Sequence, residues 1–114
     1  MSTSPIAPSI EQHELAALIS ANANIRILDV RRAPAFEKNP VLVSGAVRVP
    51  PDAVAAWASS TLADKSIPVV AYCVYGHEVS QGAAAELQAL GFSARYLVGG
   101  ISEWQASGGA TSAA

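Results

Sequence analysis

The stretch that decides the fold reads Val69-Val70-Ala71-Tyr72-Cys73-Val74-Tyr75-Gly76-His77-Glu78-Val79-Ser80. In it, a Val-rich apolar run ends at Cys73, the only cysteine of the protein, and an Ala-rich helical pattern begins a few residues later. This order predicts a strand that delivers a thiol to the N-terminus of a helix. Helix N-termini stabilise thiolates and hold anions, so the stretch also marks the candidate functional site.

Strand-length apolar runs alternate with helical patterns along the rest of the chain. Strands are predicted at residues 25–30, 46–49, 68–73 and 94–98, and helices at 9–21, 52–62, 79–90 and 101–106. Residues 31–39 can form at most a short helix, because prolines interrupt and follow them. The alternation predicts an α/β fold of three layers, in which a mostly parallel sheet of four to five strands is covered by helices on both faces.

The ends of two helices are marked by polar residues. Ser9 and Gln12 fit a capping box at the start of the first helix. Asp52 is a plausible cap for the second predicted helix. Gly91 suits the position just after the helix that follows the cysteine.

The two ends of the chain are rich in small residues and proline. Residues 1–8 and 108–114 are therefore predicted to be loose, with a short edge strand expected near Ile6. No repeat, linker or shift in composition divides the chain. Residues 1–114 are predicted to form one domain.

Composition excludes several classes of function. Hydrophobic residues make up 51% of the 114 residues and charged residues 14%, which is typical of a folded domain. The formal net charge is −2 and no Lys/Arg cluster occurs, so neither a nucleic acid nor an anionic membrane is an expected partner. A single cysteine excludes an intrachain disulfide, and His13 and His77 lie far apart, so no metal site is predicted. No basic segment precedes an apolar run, and we expect a soluble cytoplasmic protein.

The predicted sheet gives the cysteine a functional position. In open parallel α/β sheets, ligands bind beyond the carboxyl ends of the strands. Asp29 and Cys73 both lie at such ends. Cys73 is therefore predicted to be a nucleophile, although a lone cysteine is also compatible with a buried apolar role. For Asp29 and Arg31 we favour a structural ion pair that ties loops together near the site over a catalytic role.

Four motifs occur in order over nearly the whole chain. They are Leu28-Asp29-Val30-Arg31 with Phe36 nearby, Ser44-Gly45-Ala46-Val47-Arg48-Val49-Pro50, Cys73 at the end of its strand, and Gly91-Phe92 followed by Tyr96-Leu97-Val98-Gly99-Gly100-Ile101 and Trp104. Together they resemble the single-domain rhodanese-like sulfurtransferases. The resemblance implies the three-layer fold of that family, with Cys73 as its nucleophile.

The resemblance also implies which reaction this chain catalyses. The resemblance implies that Cys73 takes a sulfane sulfur from thiosulfate or a persulfide and passes it to cyanide or a thiol, including a protein thiol. It implies no cofactor, and we expect a monomer or a weak dimer. The donor is expected to contact the amides and side chains of the loop after the nucleophile, namely Val74, Tyr75, Gly76, His77, Glu78, Val79 and Ser80.

The loop departs from the pattern Cys-Arg-x-Gly-x-Arg-Ser that is usual in the family. Gly76 matches, but Val74 and Glu78 stand in place of the two arginines, and Ser80 comes one position later than the family's serine. Glu78 is expected to repel thiosulfate, which favours thiol persulfides as donors. His77 is the only loop residue that can become cationic near neutral pH.

Two other functions stay open. The loss of both arginines favours a non-catalytic module that carries a persulfide or binds a protein. A phosphatase or an arsenate reductase is a weaker alternative, because the phosphatase relatives of the fold have the loop Cys-x5-Arg and Val79 occupies the position of that arginine.

Overall fold

The computed structural model describes residues 8–60 and 64–113. The strands are β1 (Ser9–Ile10), β2 (Arg26–Asp29), β3 (Val41–Val43), β4 (Val47–Arg48), β5 (Val69–Tyr72), β6 (Ala94–Leu97) and β7 (Thr111–Ala113). The helices are α1 (Gln12–Ser20), α2 (Ala33–Lys38), α3 (Val54–Ala58), α4 (Glu78–Ala89) and α5 (Gly100–Ala106), and a 3-10 turn (Pro51–Ala53) precedes α3. None of these helices is long and apolar enough to span a membrane.

Five strands form one parallel sheet in the order β1-β6-β5-β2-β4. The central strand, β5, has four buried residues and pairs with β2 on one side and β6 on the other. The α/β fold with a mostly parallel sheet is therefore confirmed. All carboxyl ends of this sheet lie on the same edge, which is where β5 delivers Cys73.

The core has two parts, one on each face of the sheet. Successive residues of β5 alternate between them, because side chains of a strand point to opposite faces. Val69 and Ala71 pack with residues of α3 and α4, whereas Val70 and Tyr72 pack with residues of α1 and α5. Helices thus cover both faces, as predicted. Leu90, the residue that follows the end of α4, lies outside this core and is 40% exposed.

The C-terminal tail is not loose as predicted. Residues 111–113 form β7, which pairs antiparallel with β3, a strand that the sequence did not reveal. The carbonyl of Ala110 accepts hydrogen bonds from the indole Nε1 of Trp104 at 2.8 Å and from the amide of Ser44 at 2.9 Å. These bonds explain why a segment of small residues is ordered without an apolar face. Of the N-terminal segment 1–8 that was expected to be loose, only Pro8 lies within the described residues; the expected strand near Ile6 lies outside them.

The capping box of α1 lies two residues later than predicted. It is formed by Glu11 and Glu14, each side chain bonding to the other residue's amide. Ser9 is unavailable as a cap because it belongs to β1 and pairs with β6. Gln12 instead donates from its side-chain amide to the carbonyl of Val98 at 2.6 Å. The box therefore forms where the strand has ended.

The second predicted cap is also wrong. Asp52 lies inside the 3-10 turn and makes no side-chain cap, and Ala53 precedes α3. Pro50 and Pro51 fix the backbone angles here and favour a tight turn before the helix. The helix ends at Ala58, and the predicted end near residue 62 lies outside the described part of the chain.

Deleting residues 108–114 tests the contribution of the tail to stability. The deletion removes the carbonyl that accepts from the indole N–H of Trp104, a hydrogen bond worth about 0.5–1.5 kcal/mol, and it removes the β3–β7 ladder. We expect the free energy of unfolding in urea to fall by about that amount. In a Trp104→Phe background the same deletion should lower the free energy of unfolding less, because phenylalanine has no N–H hydrogen bond to lose. An unchanged urea midpoint on deletion would contradict this view of the tail.

Candidate active site

Cys73 follows β5 directly and lies at the foot of α4. The cysteine is 5% exposed, and its Sγ lies 3.1 Å from the hydroxyl oxygen of Ser80, which is fully buried in the first turn of the helix. His77 is the N-cap residue of α4, so residues 74–77 form the whole loop between thiol and helix. The hydroxyl of Ser80 accepts a hydrogen bond from the thiol and can donate one to the thiolate. The sequence prediction of a thiol at a helix N-terminus is therefore confirmed.

The first turn of α5 holds the start of this loop in place. The amide of Ile101 donates to the carbonyl of Cys73 at 3.0 Å, and the amide of Ser102 donates to the carbonyl of Val74 at 2.9 Å. These amides would otherwise lack partners at a helix N-terminus. The carbonyls of the cysteine and its neighbour thus point towards α5, away from the cavity beside the thiol.

Gly76 lets the loop pass close to the end of β6. Its φ is +76°, and a Cβ atom there would lie 2.6 Å from the carbonyl oxygen of Leu97. A side chain at this position would need both a disfavoured backbone angle and a displaced strand end. Gln81 completes the turn by donating from its side-chain amide to the backbone carbonyl of Gly76 at 3.1 Å.

Asp29 and Arg31 form a buried ion pair beside the loop. Their shortest contact is 2.6 Å, and the Nε atom of Arg31 lies 3.0 Å from both carboxylate oxygens. The remaining nitrogens of Arg31 donate to the carbonyls of Asn39 and Val41. Both side chains are almost fully buried. This geometry favours the structural role predicted for the pair, because the guanidinium is engaged by the protein itself.

Tyr72 and Arg48 extend this network. The hydroxyl of Tyr72 accepts from the amide of Val43 and donates to Asp29 at 3.3 Å. Burial, and then the charge of Asp29, raise the pKa of Tyr72 well above its ordinary value, so the phenol stays protonated as a donor. Arg48 donates to the backbone carbonyls of Asp29 and Arg31 at 3.2 and 2.7 Å. One carboxylate thus connects the ends of β2, β4 and β5.

A cavity of about 240 Å³ lies over the cysteine. Six of the predicted site residues line it: Cys73, Val74, Tyr75, His77, Glu78 and Val79. The other two, Gly76 and Ser80, are buried and do not line it. Tyr75 is 61% exposed, and its ring lies 6.1 Å from that of His77. We call this space the thiol cavity.

Arg31, which was predicted to lie near the site, also lines the thiol cavity, as do Arg32 and Ala35, neither of which was predicted. Arg32 is the exposed N-cap residue of α2 and forms no salt bridge within residues 8–60 and 64–113. It therefore brings a positive charge to the site from outside the loop. Its position just beyond the end of β2 is the signal that could have identified it, because ligands bind at such ends.

The charges at the thiol cavity are nearly balanced. Arg32 is opposed by Glu78 in the first turn of α4, and the charge of Arg31 is compensated by Asp29. Within the part of the chain that the structure describes, no three His, Cys, Asp or Glu side chains lie close enough together to hold a metal ion. What the cavity offers is a buried thiol with a hydroxyl partner.

Comparison with known families identifies the domain. The model of the rhodanese-like domain matches residues 11–107. The chain is similar to the solution structure of a rhodanese-like domain from Anabaena, with 30% identity and a TM-score of 0.80 over 94% of this chain and 80% of that one. No curated protein sequence matches the chain.

Two further structures share the fold at lower identity. One is a thiosulfate sulfurtransferase from Pseudomonas aeruginosa, with 24% identity and a TM-score of 0.77 over 94% of this chain but only 20% of that longer one. The other is a Rhodopseudomonas palustris protein described as a possible tyrosine phosphatase, with 22% identity and a TM-score of 0.76 over 91% of this chain and 83% of that one. At these identities the likeness concerns the fold alone.

Replacing Ser80 by alanine tests its contact with the sulfur. The thiolate would lose a hydrogen bond to a charged partner, which contributes about 1.5–3 kcal/mol. We expect Cys73 of the Ser80→Ala variant to react with iodoacetamide about tenfold more slowly at neutral pH. Ser93→Ala, at an exposed residue before β6, is the matched control and should react like the unaltered protein. Equal rates in both variants would show that the hydroxyl does not support the thiolate.

Proposed function

The chain belongs to the family of rhodanese-like domains, and on that premise we propose that it is a sulfurtransferase whose Cys73 carries a sulfane sulfur from a donor to a thiophilic acceptor. The observation that supports this most is the position of Cys73. Its Sγ lies at the floor of a cavity, 3.1 Å from the hydroxyl of Ser80 and at the start of a helix. No other cysteine in the chain can take this role.

The proposed reaction has two displacement steps. The thiolate of Cys73 attacks the outer sulfur of a persulfide R–S–SH, a new S–S bond forms, and R–S⁻ leaves with the electron pair of the broken bond. With thiosulfate the leaving group is sulfite. Cyanide or an acceptor thiolate then attacks the outer sulfur of the Cys73 persulfide, and the cysteine leaves as thiolate. This is covalent catalysis with double-displacement kinetics.

The surrounding residues stabilise the cysteine in both steps. The hydroxyl of Ser80 donates to the thiolate when the sulfur is free and again when it leaves in the second step. The first turn of α4 directs its amides and the positive end of its dipole towards the same region. The proposed role of the loop amides, which follows from the resemblance, is to bind the anionic outer sulfur of the persulfide.

A thiol persulfide is the proposed donor. Glu78 lines the cavity, and Val74 and Glu78 occupy the positions at which the family has arginines. The carboxylate of Glu78 repels thiosulfate, a dianion whose charge lies next to the transferred sulfur. A neutral thiol persulfide R–S–SH has no charged group next to the transferred sulfur, so Glu78 repels it less. The cytoplasmic location expected from the sequence remains part of this proposal.

A persulfide carrier without turnover is the second candidate. It is favoured by the same replacements, because a site with fewer cations would accept a sulfur yet bind small anionic donors poorly. A phosphatase is less well supported. Val79 occupies the position of its loop arginine, and a phosphate would have to be clamped without that residue.

Mass spectrometry and a thiocyanate assay test the proposed activity. Incubation with a donor should increase the mass of the peptide that contains Cys73 by about 32 Da, one sulfur atom, and addition of cyanide should then give thiocyanate. Cys73→Ser should abolish both signals, whereas His13→Ala, at an exposed residue of α1, should retain them. Thiocyanate formation that survives in Cys73→Ser would contradict the proposal, as would hydrolysis of an aryl phosphate without any reaction with sulfur donors.

Neutralising Glu78 tests the preference among donors. Removing a negative charge a few ångströms from a bound anion is worth ~1 kcal/mol in a solvated site. We therefore expect Glu78→Gln to lower the KM for thiosulfate about fivefold. The control is Glu86→Gln, about 12 Å further along the same helix, which should leave that KM unchanged. Identical KM values for Glu78→Gln and the unaltered protein would show that Glu78 does not set the preference.

A further inference from the structure

A second cavity adjoins the thiol cavity and has no role in the reaction so far described. Its volume is about 560 Å³, and it lies between α2, α5 and the loop after Cys73. The two cavities share five lining residues, Arg31, Arg32, Ala35, Val74 and Tyr75, so they lie side by side. Ligand sites usually have volumes of roughly 300–1,000 Å³. The second cavity falls within that range, whereas the thiol cavity alone is smaller. We call the second space the carrier cavity.

The carrier cavity has an excess of positive charge. Arg32 and Lys38 both line it and are exposed, and no Asp or Glu is among its lining residues. Neither cation forms a salt bridge with any residue in the described ranges 8–60 and 64–113. Arg31 also lines this space, but Asp29 compensates its charge. The two exposed cations are therefore available to an anion from solvent.

The two cavities differ in where they place charge relative to the sulfur. Glu78 lines only the thiol cavity, and Lys38 lines only the carrier cavity. His77 and the exposed Tyr75 are the other titratable groups beside the thiol. A donor that fits both spaces would carry little charge at its sulfur end and negative charge at its far end.

We propose that the carrier cavity binds the carboxylates of a low-molecular-weight thiol carrier while the persulfide end of that carrier reaches Cys73. The inference rests on the proposed sulfurtransferase function and specifies its substrate class. The transferred atom is the outer sulfur of R–S–SH, and R–S⁻ leaves with its carboxylates still beside Arg32 and Lys38. Thiosulfate does not meet this description, because its anionic sulfonate group is bonded directly to the transferred sulfur and would lie beside Glu78, whereas the reacting form R–S–SH is neutral at its sulfur end.

Binding of an unreactive probe tests the carrier cavity separately from catalysis. The probe is S-methylglutathione, which has two carboxylates and no sulfane sulfur. Its affinity is measured by calorimetry for the unaltered protein and for Arg32→Gln, Lys38→Gln and Lys65→Gln. Since exposed ion pairs are weak, we expect the dissociation constant to rise about threefold to fivefold in each of the first two variants. Lys65 is an exposed lysine that does not line either cavity, and its variant should bind like the unaltered protein.

Kinetics with two donors then tests whether the bound carrier is productive. Lys38→Gln should raise the KM for glutathione persulfide and leave kcat unchanged. For the persulfide of 2-mercaptoethanol, whose carrier has no charge, neither constant should change. Equal probe affinity in Lys38→Gln and the unaltered protein would overturn the inference, and so would the absence of any binding. Failure of the sulfurtransferase proposal has a different signature, because it would appear as the absence of sulfur on Cys73 with every donor.

Discussion

The buried ion pair of Asp29 and Arg31 organises the functional edge of this protein. A single carboxylate at the end of β2 accepts from Arg31 and from the phenol of Tyr72, the residue before the nucleophile. Arg31 in turn binds the backbone after α2, and Arg48 binds the carbonyls on either side of the pair. Removing one partner of such a pair usually costs about 3–5 kcal/mol, because the other charge remains buried. Cys73 follows Tyr72 directly, so the position of the cysteine depends on this polar network.

The same network explains how the site obtains its positive charge. The chain lacks both arginines that are usual in the loop of this family, yet Arg32 follows directly after the ordered Arg31 and lines the cavity over the cysteine. The positive charge of Arg32 thus comes from the segment between β2 and α2, whereas the negative charge of Glu78 comes from the start of α4. A donor with distant carboxylates fits this distribution better than a small dianion does.

Much of the fold could be predicted from the sequence, because β2, β5 and β6 are apolar runs and α4 has a clear helical period. The pairing of β3 with β7 could not be predicted, because the tail has small residues and its order depends on the indole of Trp104 reaching a distant carbonyl. The misplaced cap of α1 has a similar origin, because Ser9 pairs with a strand that is distant in sequence. At the site, the strand-end rule predicted where Cys73 lies, directly after β5. The same rule could have identified Arg32, which lies just beyond the end of β2, but whether Arg31 or Arg32 is the exposed one depends on the folded turn.

The central claim is that Cys73 both accepts a sulfur and passes it on. The most direct test is a single-turnover experiment on the persulfide form of the protein, freed of donor by gel filtration and then mixed with cyanide. Double displacement predicts that about one thiocyanate forms per chain and that the free thiol of Cys73 returns. A persulfide that remains on Cys73 after cyanide, with no thiocyanate released, would contradict the claim and identify the protein as a carrier without turnover.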